Sequence, residues 1–103
     1  MEKLGELYTL GIWTVKAGNE KAFIDAWRVF AAWTVKNQPG SAKATLLQDE
    51  EQPRRFISFG PWKDKESIQS WRNQPEFKEF FAKARDLCED IQPHILESVA
   101  KVG

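Results

Sequence analysis

From Arg54 to Phe81 the chain reads RRFISFGPWKDKESIQSWRNQPEFKEFF, a stretch in which a strand, a turn and two helices must follow one another with almost no residue to spare. Residues 55–59 carry β-branched and aromatic side chains over the length of a strand. Gly60-Pro61 is expected to end that strand, because proline has no N–H to give a ladder. Asp64 is then placed to cap a short helix: its carboxylate can accept from a first-turn N–H that has no partner within the helix, and Ile68 and Trp71 share one face three residues apart. A break at Asn73-Gln74 leads to Pro75, whose fixed φ and missing donor suit the first position of another helix. That helix carries Phe77, Phe80, Phe81, Ala84 and Leu87 on one stripe.

The aromatic load is heavy, five Trp and seven Phe in 103 residues, and each such side chain can bury roughly 150–250 Å². Aromatics at helical spacing ordinarily pack as core. Some of them can instead wall an apolar ligand pocket, and the residues alone leave both readings open.

The flanking segments supply the rest of a sheet. Residues 7–15 form a first strand whose two faces are both largely apolar. Gly11 interrupts it, and a bulge or local strain is the expected reason rather than a ligand contact. Gly18-Asn19 turns into an amphipathic helix running to Asn37, roughly 27 Å long at 1.5 Å per residue, with Phe23, Ala26, Trp27, Phe30, Ala31 and Thr34 on its inner face. Trp33 stands at the edge of that stripe, while Lys21, Asp25, Arg28 and Lys36 are expected in solvent. Gln38-Pro39-Gly40 stops the helix. Residues 42–49 make a second strand, joined to the third through a polar connection of hairpin length, which predicts antiparallel pairing. Gln92-Pro93 is read as a break before a closing strand over residues 94–102.

Strand, helix, two strands, helices and strand in that order predict an α+β, ferredoxin-like βαββαβ fold with a four-stranded antiparallel sheet and its helices on one face. Such a fold covers one face of its sheet, yet the first and third strands are apolar on both. A second copy related by a two-fold axis is the simplest cover, so a homodimer is expected.

At 42% hydrophobic, 103 residues suffice for one core and are too few for two, so residues 1–103 are read as a single domain. Fifteen basic and fifteen acidic residues leave a formal net charge of zero. No concentrated basic face exists to hold nucleic acid or a membrane surface. The single Cys88 cannot form an intramolecular disulfide, which fits a reducing, cytoplasmic compartment. Residues 1–7 are acidic where a secretion signal would be basic and apolar.

The chemistry-bearing residues are few. One Cys and one His, separated by five residues that include a Pro, match no zinc spacing, so no metal is expected. The glycines are isolated, so nucleotide and flavin fingerprints are absent and no cofactor is expected. Cys88, near the apolar stripe of its helix, is expected to be a buried inert thiol. What remains is an aromatic pocket with a few polar neighbours. His94 is the general base by residue type, since an imidazole ordinarily titrates near neutrality; a surface or hinge role just after Pro93 is the alternative. Arg72 and Asn73, beside Trp71, are placed to orient a substrate oxygen or simply to end a helix in solvent.

Several of these features together, Val15-Lys-Ala-Gly18 opening a helix with Phe23 and Trp27, Pro39-Gly40 before a strand ending at Asp49, Arg55 through Trp62, Ser70-Trp71 and Pro75-Glu-Phe77, resemble the antibiotic biosynthesis monooxygenase domain family. That family consists of small dimeric α+β barrels and includes cofactor-independent quinol and polyketide oxygenases. The resemblance implies a dimeric barrel, no cofactor, and oxidation of a small aromatic, quinol or polyketide-like substrate by dioxygen in a pocket between sheet and helices. An electron-rich substrate, once deprotonated, can pass an electron to dioxygen directly, and the protein need only bind, assist proton removal and exclude water. His94 and Trp71 are then the expected catalytic residues, with Trp13, Trp27, Trp62, Arg72, Asn73, Phe77 and Phe81 binding the substrate. A haem-degrading branch of the same fold uses an Asn, Trp, His set. Trp71 matches its Trp, but Gly11 stands at the Asn position and Phe81 at the His position, so the iron ligand is missing and haem degradation is disfavoured. Two other readings stay open: a non-catalytic binding or sensing module of the same fold, and an interior filled completely by its aromatics.

Overall fold

The computed structural model describes residues 6–103, so most of the N-terminal stretch 1–7 lies outside the described residues. The elements in order are β1 (Leu7–Val15), α1 (Glu20–Asn37), β2 (Thr45–Gln48), β3 (Arg55–Trp62), α2 (Lys65–Arg72), α3 (Pro75–Leu87) and β4 (Cys88–Glu97). The strands form one sheet in the order β2-β3-β1-β4 with every neighbouring pair antiparallel. This is the expected α+β, ferredoxin-like arrangement. The Asp64 carboxylate caps α2, accepting from the Ser67 N–H at 2.8 Å, and hydrogen bonding from Ser67, hydroxyl first and N–H next, holds that carboxyl below its usual range. Pro75 occupies the first turn of α3.

Two prolines expected to end or delay strands lie inside them. β3 runs on through Gly60-Pro61 to Trp62. The N–H of Lys63 donates to the Gly40 carbonyl, and the carbonyl of Arg55 accepts from Asp49, so odd-numbered positions of β3 point toward the β2 side. Pro61 therefore withholds a donor where β2 no longer runs alongside, and its ladder with β1 is untouched. β4 begins at Cys88 rather than at His94 and ends at Glu97. Ser98 donates to Glu6, so even positions of β4 bond to β1 and Pro93 faces the open edge of the sheet, the one place where its missing N–H is harmless. Cys88 accordingly belongs to the helix–strand junction, not to the stripe of α3. β2 is shorter than expected; ahead of it only Ser41 makes an isolated bridge, to Trp62.

Register and burial sort the side chains into two layers. On the helix side, Trp13, Val15 and Phe56 pack with Phe23 of α1 and with Phe80 and Ala84 of α3. Burial pushes the Cys88 thiol behind them up to about 11, with Lys16 opposing slightly, so it is protonated and inert. Ile68 of α2 is also fully buried. Alternation places Tyr8, Leu10, Ile12, Ile57, Phe59 and Pro61 on the opposite side of the sheet. Among the described residues no helix covers that apolar face, and Leu47 and Leu96 at its margins are 50% and 44% exposed. Among the described residues, no helix is long and apolar enough to cross a membrane.

Candidate functional site: an aromatic cavity over the sheet

A cavity of about 70 Å³ lies between the helix-side face of the sheet and the three helices. Its wall is a continuous run of aromatic contacts. Trp62 and Trp71 have ring centroids 4.8 Å apart, Trp71 meets Phe77 edge-on at 4.7 Å, Phe77 stacks on Phe81 at 4.6 Å, and Phe81 leans on Trp13 at 5.6 Å. Trp27 and Phe30 of α1 complete it. Offset and edge-on geometries of this kind are the favoured ones for aromatic pairs, so the wall is packed and not merely adjacent.

Each of three Trp side chains lining the cavity uses its only polar atom on a hydroxyl. Trp13 Nε1 donates to Ser58 Oγ, Trp62 Nε1 to Thr9 Oγ1 and Trp71 Nε1 to Thr34 Oγ1, all at 3.0 Å. An indole has one donor and no acceptor, so these bonds fix the planes of the rings. Gly11 is what allows the first of them. A Cβ there would stand 2.9 Å from Trp13 Nε1 and 3.0 Å from Ser58 Oγ. The register irregularity of the β1–β4 ladder sits elsewhere, between Thr14 and Val15, where Glu89 of β4 is left without a partner, so close approach of an indole and a hydroxyl, not a bulge, explains this glycine.

The sequence profile of the antibiotic biosynthesis monooxygenase family matches residues 9–83. The chain belongs to that family. The matched span contains every aromatic residue of the cavity wall. Among solved structures the protein is similar to SnoaB, a cofactor-independent oxygenase from Streptomyces nogalater, with a TM-score of 0.86 and 20% identity over 95% of this chain and 97% of that one. It is similar also to a conserved protein from Methanosarcina mazei Go1, with a TM-score of 0.84 and 18% identity over 92% and 94% of the two chains. Protein SO0527 from Shewanella oneidensis gives 0.83 and 15% over 93% of each. Likeness at these identities establishes the fold. No curated protein matches the sequence.

Set on this monooxygenase-family fold, the expected site residues separate. Trp13, Trp27, Trp62, Trp71, Phe77 and Phe81 all line the cavity, and Arg72 lines it too. Asn73 does not: it ends α2, exposed, with its N–H bonded back to Gln69 and Ser70. His94 borders the cavity along β4, but its strand partner is Leu10. The neighbouring Pro93, opposite Gly11, is on the helix side, so alternation directs the exposed His94 imidazole to the other face of the sheet. Residues not singled out from sequence are the hydroxyls of Thr9, Ser58 and Thr34 and the bare backbone at Gly60. Their signal was the placement of Thr9 and Ser58 on the same strand faces as Trp13 and Trp62.

Proposed function

We propose that the protein is a cofactor-independent monooxygenase acting on a small quinol or polyketide-like aromatic. The observation that carries this reading is the cavity whose aromatic wall lies within the segment matched by the family profile. SnoaB, of the same fold, is a cofactor-independent oxygenase. For a substrate whose activated carbon bears two hydrogens, loss of one proton leaves an anion. One electron passes from it to dioxygen, and recombination of the radical pair forms the C–O bond of a hydroperoxide. Loss of the second C–H proton with cleavage of the O–O bond then gives the carbonyl and water. Carbon supplies all the electrons, so no external reductant enters. The walls contribute an apolar setting in which the anion and dioxygen meet away from bulk water. Trp71, held by Thr34, and Trp13, Trp27, Trp62, Phe77 and Phe81 sandwich the ring, with Arg72 beside its oxygen. His94 would serve as the base only through a partner group or water reaching around the edge strand.

Oxygen uptake by metal-free protein over a panel of hydroquinones, naphthols and anthrones is expected to exceed autoxidation for at least one member and to fall in Trp71→Ala. Uptake at the autoxidation rate across the panel would refute the enzymatic reading. About 70 Å³ is half of the roughly 150 Å³ that admits a benzene, so a ring enters under any reading only if the walls yield. A non-catalytic binding module is the second reading, favoured by one observation: the His94 side chain is directed away from the cavity. Binding without uptake is its signature.

The bare apolar sheet face supports a homodimer, two sheets closing face to face into the dimeric barrel implied by the family. Light scattering on a sizing column is expected to give twice the chain mass. Ile57→Glu, at the centre of that face, should shift the protein toward monomer; a wild-type protein that is monomeric at all concentrations would exclude the barrel. The lone buried thiol supports a cytoplasmic location.

A further inference from the structure

The three hydroxyls that receive the indole N–H groups are not equivalent. Thr34 is saturated: it accepts from Trp71 and donates its own hydrogen to the Phe30 carbonyl at 2.9 Å. Thr9 and Ser58 also accept, from Trp62 and Trp13, but among the described residues neither O–H has a protein acceptor. Both hydroxyls line the cavity. They lie on adjacent strands, since Thr9 faces Gly60 and Ser58 faces Gly11 across the β1–β3 ladder. That makes them diagonal neighbours roughly 7 Å apart, each across the ladder from a glycine. Two donors over an apolar, partly enclosed space are costly unless something accepts from them.

The charges around the cavity point the same way. Among the described residues no acidic side chain lines it; its charged residues are Arg72 and Lys43, and His94 is the other titratable residue on its border. Arg72 is half-buried and makes no ion pair among the described residues.

We propose that the Thr9 and Ser58 hydroxyls, on the floor of the cavity, donate to the oxygen of an aromatic ligand and favour its anionic, phenolate-type form, with Arg72 balancing the charge from the rim. This rests on the reading of the cavity as a pocket for an oxygenated aromatic. The indole bonds are part of the device: Trp13 and Trp62 occupy an acceptor site on each hydroxyl, which leaves each O–H free to turn toward the ligand. Stabilising the anion in this way activates the substrate toward dioxygen without a side chain in the cavity acting as general base. Donation to an anion is stronger than donation to a neutral oxygen, so the floor discriminates between protonation states of the ligand.

The test uses 4-nitrophenol, whose anion is yellow and which titrates near neutrality, beside 4-nitrotoluene, of similar shape but without the hydroxyl. Binding is followed through tryptophan fluorescence and the ionisation of bound nitrophenol through its absorbance. Wild-type protein is expected to bind nitrophenol more tightly and to raise its anion-to-phenol ratio about tenfold over that in free solution at the same pH. The double variant Thr9→Val, Ser58→Ala should lose both the preference and the enrichment of the anion while still binding nitrotoluene, which also reports that its fold is intact. Ser58→Thr, which keeps the hydroxyl, should restore much of the effect when paired with wild-type Thr9. If the enrichment survives in the double variant and disappears in Arg72→Gln, the guanidinium alone is responsible and the hydroxyl proposal is overturned. Equal binding of both probes without a colour change overturns it too, leaving the aromatic pocket standing. Binding of neither probe overturns the pocket and this proposal together.

Discussion

Phe23→Ala is expected to lower the unfolding free energy by about 3–5 kcal/mol, the usual cost of emptying a buried Phe site. Phe23 is 0% exposed, and its ring tilts against both Trp13 and Phe56 at centroid distances of 5.2 Å. It is the point at which α1 is fastened to the two central strands. The cavity left behind cannot collapse readily, because Trp13 is itself tied through its N–H to Ser58 and Phe56 is fixed in β3. A domain of this size has only about 5–15 kcal/mol of stability in total, so the variant should be partly unfolded near physiological temperature. Urea unfolding against Val29→Ala, a site 73% exposed on the same helix, provides the comparison; that control should barely change. A Phe23→Ala loss below about 1 kcal/mol would mean that the aromatics do not act as one core.

Phe23 and the other helix residues were legible because the 3.6-residue period needs no knowledge of neighbours. The stripes of α1 and α3, the Asp64 cap and the Pro75 start all follow from local chemistry, and each is found where the sequence places it. β4 was not legible in the same way. Proline is a strand breaker only when its missing N–H faces a neighbour, and whether it does depends on strand order. Pro93 faces the open edge and Pro61 faces beyond the end of β2, facts of topology that no local pattern contains.

The same dependence on register separates the legible part of the site from the rest. Aromatic residues contribute to the cavity wherever they point inward, so their abundance alone announced a pocket or a core. His94 is different: beginning the closing strand at residue 94 left its parity against β1 undetermined, and a shift of one residue moves a side chain to the other face. Once β4 starts at Cys88 and pairs His94 with Leu10, the imidazole belongs to the outer face. Thr9 and Ser58 are ordinary strand residues in isolation. Only the pairing of β1 with β3, which sets them beneath Trp62 and Trp13, turns them into a floor with two free donors.

Gly60→Ala should cost about 2–3 kcal/mol, in the range of overpacked sites, and it bears directly on what the cavity can admit. The added Cβ would stand 2.6 Å from the Lys43 carbonyl oxygen and 3.4 Å from the Ala44 Cα. These are backbone atoms, so no side-chain rotation relieves the contact; the segment leading into β2 has to move as a whole. That segment, with Gly60 itself, forms one wall of the cavity. At about 70 Å³ the space is short of a full aromatic ring, and a polycyclic substrate requires some wall to yield. The aromatic side is locked by ring packing and by three indole hydrogen bonds, whereas ahead of β2 only the Ser41 bridge to Trp62 ties residues 41–44 to the sheet. Chemical denaturation of Gly60→Ala therefore measures the stiffness of the pocket at its weakest wall. A loss near the expected value means a firm wall on this side, so that room for even one ring has to come from elsewhere in the lining. An unchanged stability would refute the overpacking prediction and show that the residues before β2 give way cheaply, making this the side through which a larger polyketide-like ligand enters.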